Sequence, residues 1–512
     1  MAKGKQSFSY FQWSLVIIVA LTLFRLWFVN RMELVGDEAY YWLWSKHLDW
    51  SYFSKGPGVA YTIAAGTELF GDTVLGVRFF AVILSACTAV CLFWLGSQLF
   101  SPKIGFWCVI TAAVIPLFSL GSILMTIDPL SVFFWVLAAN AFWRAKERNH
   151  WSCFFWWLLT GLSIGLGMLC KYTNVAQLAC FFLFCLWDRK GRHCFLTIGF
   201  WLMLVVIVAC LYPVYRWNEA NEWITLEHLI HRGGLDESFE YNVGEVLAFW
   251  VMQAVVISPF IWLAMLAAVF LTKGSNDHEK TSIRYAITLF LPLLLFYSVL
   301  SLKEAGEANW AVPSYIGGIL LVVVCAMKLS EKWKGVRYVT GLVLGIALVG
   351  SLLLHDVPGA SEIKPIRRLL NRAKGSEDLA EQVNLLQREY GASFLIANKY
   401  SYASLLSFYA KNNPRVYLPS HEGIMNQYSF WSGYEDGFWR ETALFVSDSD
   451  DIPVQLTREF SEVMLVKESY TYHEANEIRK FYFFVCEEFG GREDTVELLE
   501  VGEQEVIQGD TD

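Results

Sequence analysis

No Walker loop and no His-Glu-x-x-His pair occurs in the 512 residues. Those absences remove the phosphate cradle of a nucleotide-driven pump and the zinc-binding helix of a common metalloprotease class. Cysteine is scarce where it would matter. Ten of the eleven lie in or at the edges of apolar runs, and only Cys486 lies beyond residue 355. One cysteine cannot staple a domain, so no disulfide framework exists in the last third of the chain. Cys87 and Cys91 stand one helical turn apart without histidine or carboxylate companions, so they read as small packing residues rather than metal ligands. The sequence calls for no cofactor, and nothing in it indicates a divalent metal. The last third also lacks a basic patch, which excludes nucleic acid as a partner.

What is present is hydrocarbon. The chain is 55% hydrophobic and only 17% charged. Runs long enough to span a bilayer, about 20 residues each, fall near 12–30, 76–100, 104–121, 128–142, 153–169, 174–187, 195–215, 247–271, 285–301, 312–328 and 337–354. That makes about eleven transmembrane helices. The 58–70 stretch is apolar but short, and reads as a re-entrant or interfacial helix. The first run follows a basic start without a small-residue cleavage site, so it is not treated as a removed signal peptide.

Lysine and arginine set the orientation. One set of connections reads "AKGKQ", "SPK", "WRAKERNH", "DRKGRH", "TKGSNDHEKTSIR" and "KLSEKWKG". The alternate set is sparser in basic residues for its length. The expectation is a cytoplasmic N-terminus, with the first loop, the 216–246 loop and everything after His355 on the outer side. From His355 onward 15 Lys and Arg face 28 Asp and Glu, against 25 and 21 in the preceding part. This acidic stretch is large enough for a domain of its own. It alternates a helical pattern, "IRRLLNRAKGSEDLAEQVNLLQREY", with the strand-like runs "FLIAN", "RVYLP", "ALFVSD", "EVMLVKES" and "FYFFVCEEF". The expected organisation is a transmembrane domain over 1–355 and an extracytoplasmic α/β domain over 356–512, ending in a frayed "GEQEVIQGDTD".

The first outer loop carries the densest chemistry, "GDEAYYWLWSKHLDWSYFSKGPG" over 36–58. Asp37 and Glu38 lead into Tyr40, Tyr41, Trp42 and Trp44, a run that resembles an interfacial helix at headgroup level. Aromatic faces beside carboxylates are also a common way to hold a sugar. Lys55 and the Gly56-Pro57-Gly58 turn return a cation to the same membrane edge, where a lipid phosphate would meet it. Asp128 opens another run in "TIDPLSVFFW", where a helix cap would look the same. Lys171 in "CKYTN" and Lys303 in "SLKEAGEANWAVP" lie in short outer connections, with Glu304, Glu307, Asn309 and Trp310 beside Lys303. Any one of these cations alone reads as a side chain snorkelling to the interface. Four outer loops with acids and lysines on one side of the membrane carry more weight.

That arrangement suits transfer of a sugar from a polyprenyl phosphate. The phosphate leaves readily when cations neutralise its charge, and an acceptor hydroxyl needs a carboxylate to take its proton. A lipid-activated sugar also needs no nucleotide. "GDEAYYWLWSKHLDWSYFSKGPGVAYTIAAGTELFG", "TIDPLSVFFW", "CKYTNVAQL" and "EANWAVPSYIG" resemble, in matching order, the bacterial branch of the family 39 (protein O-mannosyltransferase-like) glycosyltransferases, to which the aminoarabinose lipid A transferases are related. The likeness runs over roughly the first 330 residues and more loosely into the outer domain.

The resemblance implies a mostly α, polytopic GT-C-type fold in a bacterial inner membrane. It implies a polyprenyl-phosphate sugar donor, a glycolipid or protein acceptor, and inversion at the anomeric carbon. Asp37 matches the catalytic aspartate with Glu38 beside it, Asp128 the second outer-loop aspartate, and Lys55 the residue before a double-proline turn near lipid phosphate. Tyr40, Tyr41, Lys171, Lys303, Glu307, Asn309 and Trp310 join them as substrate-binding candidates. Gly56 and Gly58 depart from the family pattern, a change expected to loosen the turn and the acceptor pocket. A transporter or flippase of a lipid-linked sugar remains the alternative, although transporters usually place charges near the midplane on broken helices.

Overall fold

A computed structural model of the chain describes residues 2–147, 152–189, 191–232, 242–303, 306–355, 360–421, 423–473 and 476–490. Glu304 and the "GEQEVIQGDTD" end lie outside them. The chain divides into two compact units, Met1–Val29 with Leu48–Glu362, and Asn30–His47 with Ile363–Asp512.

In the first unit, helix forms at each of the eleven apolar stretches, but the spans are fewer. Among the described residues seven helices are long and apolar enough to cross a membrane, and a bent pair makes an eighth. Part of the difference comes from breaks within the runs. The 104–121 run splits into Pro102–Val114 and Pro116–Gly121, because Ile115 is extended ahead of Pro116, as the residue before a proline prefers. The 247–271 run bends by 110° between Val243–Ile257 and Pro259–Leu271. Ser258, at φ 97°, makes that corner. The 128–142 and 174–187 stretches form the helices Ile127–Glu147 and Ala176–Trp187. The short 58–70 stretch is the helix Gly58–Phe70.

Hydrocarbon offers no partner to a polar group, and several of those inside the bundle bond to one another. The Tyr285 hydroxyl donates to the Ala139 carbonyl at 2.8 Å, and its ring packs among Phe142, Trp143 and Phe184. Asn140 donates to the Cys91 carbonyl and accepts from Gln98, whose own oxygen accepts from Arg144. That ladder joins Ile127–Glu147 to Val74–Leu99. Gly161-Leu162-Ser163-Ile164-Gly165 spells Gly-x-Ser-x-Gly, yet it lies inside the helix Ser152–Cys170, and Ser163 donates to the Leu159 carbonyl. A hydrolase elbow needs a strand-to-helix turn instead.

The second unit is α/β. Its strands are β1 (Phe394–Ala397), β2 (Val416–Tyr417), β3 (Ala443–Ser447), β4 (Phe460–His473) and β5 (Asn476–Phe489), at the five strand-like runs of the sequence. They pair in the order β2-β1-β3-β5-β4, with β2, β1 and β3 parallel and the β3–β5 and β5–β4 pairs antiparallel. Phe394, Ile396, Phe445, Phe484 and Phe489 form the buried core. The expected long helix before β1 breaks at Gly375, with φ 84°, into Lys364–Leu370 and Ser376–Glu389.

The first-loop motif packs in this unit as the helix Gly36–Lys46. The Glu33 carboxylate accepts from the Gly375 and Ser376 N–H groups, filling two donors that open the Ser376–Glu389 helix. The Tyr409 hydroxyl accepts from Leu34 N–H at 2.7 Å. Gly36 lies against Ser401, where a side chain would collide at 2.6 Å.

Candidate active site

The first-loop helix buries what the sequence suggested was an interfacial surface. Tyr40, Tyr41, Trp42 and Trp44 are all buried. The Tyr40 ring packs on Tyr400 and Tyr428, and its hydroxyl accepts from the Gln427 N–H. Burial pushes the Tyr40 phenol well above the ordinary range. Tyr41 packs edge-on to Trp44. These rings are core of the second unit and not membrane-belt aromatics. Glu38 is fully buried, and its carboxylate accepts from Val35 N–H at 3.1 Å, closing the first helical turn. Asp37, beside it in that turn, is exposed.

The first unit gathers the other candidates. The Lys171 ammonium donates to one Asp128 oxygen at 2.7 Å, and the Asn309 amide donates to the other at 2.7 Å. Lys171 also donates to the Asn309 carbonyl at 3.3 Å. The Lys171 and Asp128 side chains are 7% and 15% exposed, so the pair is largely out of water. Three separate connections therefore meet at one carboxylate. Asp128 opens the helix Ile127–Glu147, and Lys171 follows the last residue of Ser152–Cys170.

Lys55 is held in a braced turn. The Lys55 carbonyl accepts from Tyr52 N–H and the Ser51 hydroxyl. Asp49 accepts from the Trp217 indole at 2.8 Å. The two glycines tighten the turn rather than loosen it. A Cβ on Gly56 would lie 2.3 Å from the Leu169 carbonyl oxygen, and one on Gly58 would lie 2.4 Å from the Cys170 sulfur. The turn therefore seats directly on the end of the helix that precedes Lys171. Among the described residues the Lys55 ammonium has no hydrogen bond or ion pair. Burial and repulsion from Arg232 and Lys171 push its pKa down to about 8, against a weaker pull from Glu307 and Asp128.

Two members of this cluster were not singled out in the sequence. Arg232 pairs with Glu307 at 2.7 Å and lies over the Trp310 ring. His228 packs on Phe53, and its Nε2 is buried without a hydrogen-bond partner. Burial together with Lys55, Arg232 and His231 holds His228 down at about 4. Both residues come from the helix Ile224–Arg232 of the 216–246 loop, where "LEHLIHR" sets an imidazole and a guanidinium one turn apart. Lys303 is half-buried and takes no part in the bonds to Asp128. Trp310 packs on Tyr297. Beside the Lys55 turn, Trp50, Pro57, Tyr61, Leu130, Phe134 and Leu169 are among the residues lining an apolar groove of about 440 Å³. Among the described residues, no group of three or more His, Cys, Asp and Glu side chains is placed to hold a metal ion.

Comparison with known proteins bears on this geometry. Residues 54–217 match the family described as dolichyl-phosphate-mannose-protein mannosyltransferase, a stretch that contains Lys55, Asp128 and Lys171. The chain is 26% identical over 424 residues to the lipid A galacturonosyltransferase RgtD of Rhizobium johnstonii, covering 81% of this chain and 86% of that protein. It is 25% identical over 340 residues to an undecaprenyl phosphate-alpha-4-amino-4-deoxy-L-arabinose arabinosyl transferase of Pseudomonas aeruginosa, spanning 64% of this chain and 57% of that one. In fold it is similar to ArnT of Cupriavidus metallidurans, with a TM-score of 0.61 at 16% identity over 92% of this chain and 97% of that one. The same ArnT bound to undecaprenyl phosphate gives 0.59. The transferase reading is thus favoured over the transporter, and in fold the chain is similar to an integral-membrane transferase of this kind.

Proposed function

We propose that the chain moves a sugar from a polyprenyl phosphate to a hydroxyl or phosphate group of a lipid acceptor at the outer face of the membrane, with inversion at the anomeric carbon. A second reading keeps the same chemistry with a protein hydroxyl as acceptor. The relatives named for lipid A favour the lipid. The orientation proposed is N-terminus inside and second unit outside, in a bacterial inner membrane.

The observation that carries the reading is the cationic cluster around Lys55. Among the described residues the Lys55 ammonium has no partner and is repelled by Arg232 and Lys171, a repulsion that an anion relieves, while the neutral His228 imidazole beside it has a buried nitrogen without a hydrogen bond. A donor phosphate supplies that anion. Its isoprenoid tail suits the apolar groove beside Gly58. In the reaction the acceptor oxygen attacks the anomeric carbon as the carbon–oxygen bond to phosphate breaks, and the polyprenyl phosphate departs with the electron pair. Lys55 and Arg232 stabilise the charge that develops on it. Asp37, the exposed carboxylate of the first-loop helix, is the proposed base that accepts the hydroxyl proton. Asp128, fixed by Lys171 and Asn309, is proposed to orient the substrates.

The test is transfer from a labelled polyprenyl-phosphate sugar in proteoliposomes. Lys55→Ala should weaken donor use by about 10- to 100-fold, the span for losing one charge-assisted hydrogen bond. Donor turnover unchanged by that substitution would remove the phosphate site. A reporter fused after His355 should read the outer side, and a cytoplasmic reading would reverse the proposed orientation.

A further inference from the structure

The second unit carries a polar crevice that the transfer chemistry does not use. From β1 the chain passes through the helix Tyr400–Tyr409 to β2 on one side, then returns to β3 on the other side of β1. The strand order therefore reverses between β1 and β3. In open sheets with parallel strands, ligands settle outside the carboxyl ends of the strands at such a reversal. The residues that leave those two ends are Asn398 and Lys399 after β1 and Asp448 after β3.

Their side chains converge. The Asp448 carboxylate accepts from the Asn398 amide at 2.8 Å, the Lys399 ammonium at 2.6 Å and the Tyr402 hydroxyl at 2.9 Å. β5 runs antiparallel to β3 and continues past its carboxyl end, bringing Arg479 over the same place. Arg479 donates to the Tyr402 hydroxyl at 2.8 Å and lies over the Tyr402 ring. Among the described residues its guanidinium has no carboxylate partner. The Asn398 Oδ1 is buried and accepts no hydrogen bond. At the same edge the Ser449 hydroxyl donates to Asp451. Fixed acceptors, fixed donors, an aromatic ring and a guanidinium without a carboxylate partner among the described residues share a single crevice.

We infer that this crevice binds the saccharide headgroup of the acceptor, with Asp448 and Lys399 reading hydroxyls and Arg479 taking an acidic substituent of the sugar. Neutral hydroxyl recognition explains the paired donors and acceptors. The acidic substituent explains the guanidinium, whose planar fork matches a phosphate or carboxylate. Burial raises the Asp448 carboxyl, but hydrogen bonds from the Lys399 ammonium, the Asn398 amide and the Tyr402 hydroxyl hold it below the usual carboxylate range, so it stays an acceptor at neutral pH. This inference rests on the proposed transfer reaction, but its first test does not.

That test measures binding to the intact protein in detergent by saturation-transfer NMR, with glucosamine 6-phosphate against glucosamine as probes. Signal is expected from both, stronger for the phosphorylated sugar. Arg479→Gln should abolish the preference, and Asp448→Asn should weaken both. Absence of signal in the wild-type protein, or a preference that survives Arg479→Gln, overturns the inference even if transfer activity is present. In the transfer assay Arg479→Gln should raise the acceptor KM by about 10- to 100-fold. Donor KM and the unfolding midpoint should stay within experimental error, and Arg479→Lys should recover part of the loss. Equal changes in both KM values, or a lowered midpoint with unchanged acceptor KM, assign Arg479 a structural role and overturn the proposal.

Discussion

Two sets of carboxylates, one in each unit, are satisfied in opposite ways. In the second unit Glu33 and Glu38 are satisfied by backbone N–H groups, those of Gly375 and Ser376 for one and of Val35 for the other. In the first unit Asp128 is satisfied by side chains, a lysine and an asparagine from two distant connections. A carboxylate that caps a helix is part of the scaffold, and its worth is the hydrogen bonds it completes. A carboxylate held against a desolvated ammonium is part of an electrostatic site, whose worth depends on every charge around it. The acid pair Asp37–Glu38 therefore divides into roles that the sequence motif does not separate. Glu38 fixes the helix turn, and Asp37 is the member left exposed.

The largest expected effect breaks that division. Asp37→Asn keeps size and hydrogen bonding but cannot accept a proton, so turnover should fall by about 100- to 10,000-fold. Expression and unfolding midpoint should be unchanged, because Asp37 is exposed at the start of its helix. Near-normal transfer by this variant would end the assignment of Asp37 as base. A protein that fails to fold would instead place Asp37 with Glu38 as scaffold.

Next in size is the pair in the first unit. Lys171→Met leaves Asp128 without its countercharge in a site where both side chains are largely buried. Removing one partner of a buried pair costs about 3–5 kcal/mol, whereas replacing both by apolar groups is often neutral. Lys171→Met should therefore unfold more readily in denaturant, and Asp128→Leu with Lys171→Met should regain most of that stability while transferring no sugar. A stable single variant would show that the pair is solvated and contributes little.

The membrane part was legible because its signal is local. Apolar runs announce themselves over about 20 residues, and helix formed at all eleven, although Pro116 and Ser258 broke two of them. The strands of the second unit were legible for the same reason, through short β-rich runs between turns. The site was legible only in residue type. Asp128, Lys171 and Asn309 stood out as polar groups at helix ends, but the bonds joining them cross 43 and 181 positions, and no local pattern encodes those distances. Tyr40 and Tyr41 were misplaced because aromatics beside a membrane run look alike whether they face headgroups or a neighbouring domain. Arg232 and His228 were passed over in a long polar loop, where their spacing on one short helix was the available signal. Gly56 and Gly58 looked like a relaxed turn, and only the closeness of Leu169 and Cys170 showed why no side chain fits there.

The smallest expected effect sharpens the contrast by changing only a proton. Lys55 has its pKa pushed down to about 8 by burial and by the cations facing it, Arg232 and Lys171. A lysine lowered in this way loses its charge as pH rises through that value, so its grip on phosphate is present below pH 8 and fades above it. At pH 9 about one tenth of free enzyme would carry the charged form, for a pKa of about 8. The kcat/KM for donor, which reports the free enzyme, should therefore drop by about tenfold between pH 7 and pH 9. Bound phosphate favours the ammonium, so kcat at saturating donor should change less over the same range. Lys55→Arg keeps its charge throughout and should flatten the profile at some cost in geometry. If Lys55→Arg retained the wild-type slope, the titrating group would lie elsewhere, and the cationic cluster would no longer account for donor binding.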